Sequence, residues 1–125
     1  MKLIDDFFEI KDIQEIDSCP IYTIGLNENH FIYKAHFPNN PITPGVCMLQ
    51  MIEEILSLRM NRSIYLSQVN NIKFINVLLP EKDKEVKICF NKIDVGETSL
   101  SIKTSIIDDK QCFAKISTTY NYERL

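Results

Sequence analysis

The sequence has no basic excess: 14 Lys and Arg stand against 17 Asp and Glu, a formal net charge of -3 scattered over 125 residues. Without a basic stripe to neutralise a phosphate backbone, nucleic acid is not an expected partner. Cys19, Cys47, Cys89 and Cys112 form no C-x-x-C pair, and only His30 and His36 could join them around a metal, so neither a metal nor any other cofactor is expected. In a reducing compartment all four cysteines read as small buried hydrophobes. No long apolar run follows Met1–Asp6 or interrupts the chain, so neither a secretory signal nor membrane insertion is expected, and the default location is the cytoplasm. Repeats and low-complexity segments are also missing. What is present is 45% hydrophobic and 25% charged residues, the balance of a globular protein, in a length that suits one domain over residues 1–125.

One long helix is expected, Pro44 to Met60, free of internal glycine beyond Gly45 and rich in strong helix formers. Pro44 suits its first turn, where an N–H would be unpaired anyway, with Thr43 as N-cap and Asn61 as its stop. Met48, Met51, Ile52 and Ile55 make a broad apolar face; Gln50, Glu53, Glu54, Ser57 and Asn61 make a polar stripe that faces a cleft, a partner subunit or water. The methionines fit a plain core and also the wall of a flexible acyl tunnel. Strands are expected over Phe7–Ile16, Pro20–Leu26, a short piece at Phe31–Lys34, and then Ile64–Phe74, Glu85–Ile93, Ser99–Ile107 and Cys112–Tyr122. Period-two alternation such as Leu100, Ile102, Thr104 gives the later strands one buried face. The result is an α+β fold in which a single antiparallel β-sheet wraps one long central helix.

Chemistry concentrates in Ala35–Gln50, which reads A-H-F-P-N-N-P-I-T-P-G-V-C-M-L-Q. Three prolines restrict their own and their neighbours' backbones, so this loop holds His36 at low entropic cost relative to the helix start. Gly45 and Val46 lie in the first helical turn, where N–H groups have no intrahelical partner and the dipole favours an anion. A fixed imidazole beside two amide donors, with Gln50 further along the helix, suits proton abstraction next to a carbonyl whose developing negative charge the amides accept. Taken alone, His36 also reads as a structural histidine bonded to a loop carbonyl. His30, beside Asn27-Glu28-Asn29, reads as a solvated turn residue. Cys47, in the first turn, could be a thiolate nucleophile.

His36-Phe37-Pro38, Pro41 and Pro44-Gly45-Val46 resemble the H-F-P-x-x-P-x-x-P-G-V signature of bacterial 3-hydroxyacyl-acyl-carrier-protein dehydratases, and Ile72-Lys73-Phe74 with Leu79-Pro80 resembles that family's following strand and loop. The resemblance implies a homodimeric hotdog fold acting on acyl carrier protein, with dimers open to further assembly. It makes His36 the base at the substrate α-carbon and places Gly45 and Val46 as donors to the thioester oxygen. Phe37, Pro44, Met48 and Glu54 are expected along the substrate. The family's second catalytic residue is an Asp or Glu six positions after the Pro of P-G-V, contributed across the dimer interface to protonate the departing hydroxyl; here that position is Gln50, which has no titratable proton. Gln50 then orients the hydroxyl or water while His36 handles both protons, or Glu53 or Glu54 substitutes, or the chain binds acyl carrier protein as an accessory subunit without turnover. A hotdog thioesterase using Glu53 or Glu54 is a further alternative. Fatty acid, lipid A, polyketide and aryl-polyene synthesis all fit. Otherwise Glu53 and Glu54 read as a solvated or interface face, and Arg59, Arg62 and Lys73 as a basic patch for an acidic carrier.

Overall fold

The computed structural model describes residues 2–123. In chain order the elements are β1 (Phe8–Ile16), β2 (Cys19–Leu26), α1 (Phe31–Ala35), α2 (Gly45–Met60), β3 (Ile64–Phe74), β4 (Glu85–Val95), β5 (Ser99–Ile107) and β6 (Cys112–Tyr122). All six strands join one antiparallel sheet in the order β1-β2-β4-β5-β6-β3. The tight β1–β2 turn is carried by Asp17 and Ser18, both with positive φ (51° and 64°), the backbone sign that matches the right-handed twist of a two-residue hairpin.

Alternation aims one face of the sheet at the helix. Leu100, Ile102 and Ile106 of β5 and Ala114, Ile116 and Tyr120 of β6 are buried, and they join Tyr22, Ile24, Val86, Ile88 and Phe90 from the other strands. Against them α2 buries Cys47, Met48, Met51, Ile52, Ile55 and Leu56. Helix α2 stops where expected: Asn61 takes the left-handed conformation (φ 50°, ψ 45°), and the Arg62 N–H returns to the Ser57 carbonyl. The architecture is the hotdog: one central helix wrapped by a single antiparallel sheet.

Three local expectations are corrected. Residues 31–34 are not a strand but belong to α1, whose turn buries Ile32 and Tyr33 while Phe31 stays exposed. Its β-branched and aromatic composition is overridden by a cap: the His30 ring accepts the Ile32 N–H at 3.1 Å. Thr43 does not cap α2. Pro44 occupies that position with no side-chain cap, and the Thr43 hydroxyl is bonded to Tyr33. Only two cysteines are buried, Cys47 and Cys89; Cys19 and Cys112 are half-buried.

Candidate active site

The loop between α1 and α2 is held at both ends. At its start the His36 N–H bonds the Ile32 carbonyl as the C-cap of α1 (2.9 Å), and the His36 carbonyl receives the Ile42 N–H (2.9 Å). Between them Phe37 and Asn40 exchange backbone hydrogen bonds of 3.3 and 3.0 Å. At its end the Thr43 N–H bonds the Leu78 carbonyl (2.8 Å), and the Thr43 and Tyr33 hydroxyls meet at 2.9 Å. Burial pushes the Tyr33 phenol far above its ordinary range, so the pair is a neutral hydrogen bond. The loop therefore returns upon itself, with the backbone of His36 fixed and its side chain exposed, edge-on to the Phe37 ring at 5.7 Å.

The start of α2 follows directly on this loop. The N–H groups of Cys47 and Met48 share the Pro44 carbonyl (3.0 and 3.2 Å), whereas among the described residues the Gly45 and Val46 N–H groups have no protein acceptor. The Phe74 ring lies over Gly45 so closely that a Cβ there would stand 2.6 Å from its Cζ, which is a reason for glycine at this position. A cleft of about 260 Å³ opens here, lined mainly by Ile42, Pro44, Gly45, Met48, Phe74 and Val77. Of the expected site it thus gathers Pro44, Gly45 and Met48. His36, Phe37 and Val46 stand exposed outside that lining.

Gln50 and Glu54 form a second group. The Gln50 Nε2 donates to Glu54 Oε2 at 2.9 Å, one helical turn on. Glu54 is buried, and its oxygens also accept the Leu3 N–H (3.0 and 2.8 Å) and the Ile4 N–H (2.8 Å). Glu53 is half-buried and accepts the Leu66 N–H at 2.9 Å; desolvation pushes its carboxyl up. Of the polar stripe, expected to face a cleft, a partner subunit or water, the Glu53 and Glu54 carboxylates face the chain's own backbone. There the start of β3 covers Glu53 and the N-terminal segment covers Glu54, while Asn61 at the end of the stripe is exposed.

Further expectations are corrected by burial and pairing. His30 is no solvated turn residue: it is 5% exposed, its Nδ1 takes the Ile32 N–H, and Nε2–H is left to donate to Asp6 at 3.2 Å. Its signal in the sequence is the pair Phe7-Phe8, whose burial brings Asp6 to the ring, with Phe7 edge-on at 5.3 Å. The Cys47 thiol is buried and pushed up by desolvation, which disfavours the thiolate a nucleophile needs. Arg59 pairs with Glu15 (2.9 Å), Arg62 stacks on Tyr122 (4.1 Å), and Lys73 lies toward the opposite end of β3, so these three make no common patch. Among the described residues no group of His, Cys, Asp and Glu is placed to hold a metal, and no helix is long and apolar enough to cross a membrane.

The sequence matches the ApeI-like family, described as ApeI dehydratase, over residues 12–116. It is 33% identical over 94 residues to a 3-hydroxyacyl-[acyl-carrier-protein] dehydratase FabZ of Bartonella henselae, a match covering 69% of this chain and only 58% of that protein. A FabZ of Legionella pneumophila is 29% identical over 129 residues, covering 90% of this chain and 83% of the relative. Among solved structures, the dehydratase heterocomplex ApeI:P from Xenorhabdus doucetiae superposes with a TM-score of 0.66 at 15% identity, covering 90% of this chain and 98% of that one. A hypothetical thioesterase with coenzyme A from Streptococcus pneumoniae superposes at 0.64 and 12% identity, covering 93% and 85%. At such identities these two share the fold.

Proposed function

Because the chain belongs to the ApeI-like dehydratase family, we propose that it is a hydro-lyase that removes water from a 3-hydroxyacyl thioester carried on acyl carrier protein, giving the trans-2-enoyl thioester. The observation that carries this reading is the doubly anchored His36 loop, which runs into a helix start whose Gly45 and Val46 N–H groups have no acceptor among the described residues. His36 removes the α-proton, and the C–H electron pair moves toward the thioester, whose oxygen is received by the Gly45 and Val46 N–H groups. As the C2–C3 double bond forms, the C3–O bond breaks, and His36 returns its proton to the departing hydroxyl to complete water. Gln50 orients that hydroxyl. Phe37, Pro44 and Met48 line the substrate's path. The thioesterase alternative needs a carboxylate free to activate water, and the hydrogen bonds already made by Glu54 weigh against it.

The same reading makes the protein a homodimer. Strand β3 is an edge strand of 11 residues with no acidic side chain and only Lys73 as a cation, whereas the opposite edge, β1, carries Glu9, Lys11, Asp12 and Glu15. Charged edges resist strand addition and uncharged ones invite it, so β3 is the edge for a second copy. A second reading, favoured by Gln50 standing where the family carries an acid, is an accessory subunit that binds acyl carrier protein and pairs with an active partner; the Xenorhabdus dehydratase is a heterocomplex.

The test is conversion of a panel of 3-hydroxyacyl-acyl-carrier-protein thioesters, followed by mass spectrometry for wild type, His36→Ala and Gln50→Glu. Turnover by wild type that His36→Ala abolishes is the expected result. An inert wild type with an active Gln50→Glu would favour the accessory subunit, and three inert proteins would remove dehydration altogether.

A further inference from the structure

We infer that His30 is a positioning residue for His36: its ring, held in one tautomer by Asp6, fixes the short helix α1 that carries the His36 backbone at its far end. The inference rests on the dehydratase reading above, in which His36 is the base. Helix α1 has five residues, Phe31–Ala35. A single turn fixes several backbone torsions for very few hydrogen bonds, so it does not persist by propensity. A bond at each end closes it. The His30 Nδ1 accepts the Ile32 N–H at 3.1 Å, and the Ile32 carbonyl accepts the His36 N–H at 2.9 Å. Ile32 thus takes the cap through its N–H and holds His36 through its C=O. Tyr33, stacked on Phe7 at 4.9 Å, secures the flank of the turn and leaves the backbone bond at Ile32 to His30.

The cap works in one tautomer. An Nδ1 that accepts an N–H carries no proton, so the ring's proton lies on Nε2, where the Asp6 Oδ2 receives it at 3.2 Å. Asp6 is set in turn by its neighbours: its N–H donates to the Leu3 carbonyl (3.1 Å), and its carbonyl accepts the Asn27 Nδ2 (2.9 Å). The ring plane is fixed as well, edge-on to Phe7 at 5.3 Å and stacked on Phe31 at 4.6 Å, in a residue that is buried. The other tautomer would set N–H against N–H at Ile32 and release the cap. Asp6, His30, Ile32 and His36 therefore act in series, from the N-terminal turn to the start of the proline loop.

The test compares wild type, His30→Ala and His30→Asn, each with and without Asp6→Ala. Asn keeps a side-chain oxygen for the Ile32 N–H and has no tautomer to choose. His30→Ala should lower kcat about tenfold with little change in KM, because the base is displaced while binding is kept. It should also speed hydrogen exchange at the His36 amide, and His30→Asn should restore both. Asp6→Ala should lower kcat when His30 is present and cost nothing further beside His30→Asn. An unchanged kcat in folded His30→Ala, a His30→Asn as slow as His30→Ala, or an Asp6→Ala loss of the same size in both backgrounds would overturn the inference. Independently of turnover, long-range ¹H–¹⁵N spectra should find the His30 proton on Nε2, and a proton on Nδ1 would overturn the cap. If wild type converts no thioester, the proposed function fails, while exchange at the His36 amide and the tautomer still decide whether His30 holds its backbone. Should His30→Ala not fold, Asp6→Ala, which changes an exposed side chain, carries the same readouts.

Discussion

The hydroxyls of Tyr33 and Thr43 lie 2.9 Å apart, joining the short helix before His36 to the residue just ahead of Pro44. The loop bearing His36 is thereby closed into a ring through side chains as well as through main chain. Tyr33→Phe leaves the buried Thr43 hydroxyl unpaired, at a cost of about 1–3 kcal/mol. Urea titration should show that loss, and turnover should fall through kcat because His36 is less well placed. Unchanged stability would mean that Thr43 finds another partner.

Glu53 makes stability depend on pH in a definite direction. Desolvation raises its carboxyl pKa in the folded state, so the native protein holds a proton that the unfolded chain has already released. Unfolding free energy therefore falls as pH rises from the unfolded value, about 4.3, through the folded one, and the penalty is complete above it. Glu53→Gln keeps an oxygen for the Leu66 N–H and removes the charge. It should be more stable than wild type at pH 7, with the difference vanishing toward pH 4. Thermal melts across that range would show it, and a difference independent of pH would contradict it.

The β3 edge, whose single charge is Lys73 near its end, predicts the oligomeric state. Val69, exposed in the middle of that strand, tolerates a lysine in a monomer, but Val69→Lys sets a charge against its own symmetry-related edge. Sedimentation should find a dimer for wild type and a monomer for the variant, with an unchanged circular dichroism spectrum. A dimeric Val69→Lys would move the interface elsewhere.

Helix α2 and the alternating strands were legible in the sequence because period and propensity are local quantities, and the His36 loop because three prolines and Gly45 constrain neighbouring residues directly. Helix α1 was not. Phe31-Ile32-Tyr33 has the composition of a strand, and what bends it is the His30 ring, placed by Asp6 from 24 residues away. The partners of Glu53 and Glu54 were not legible for the same reason: they are backbone amides at Leu66, Leu3 and Ile4, and a backbone amide leaves no residue-type signal. The pairing of Gln50 with Glu54 follows helical spacing and was open to sequence reasoning; the direction in which the amide points was not.

Strand order has a consequence in time. β3 leaves the helix and takes its place at the sheet's edge, yet its one neighbour in the sheet is β6, with β4 and β5 made in between. During synthesis a strand with no acidic side chain and with open hydrogen-bonding groups must wait, unprotected, until β6 is made. That interval is when the nascent chain is most exposed to the wrong partner, and it makes β6 the strand whose arrival commits the sheet.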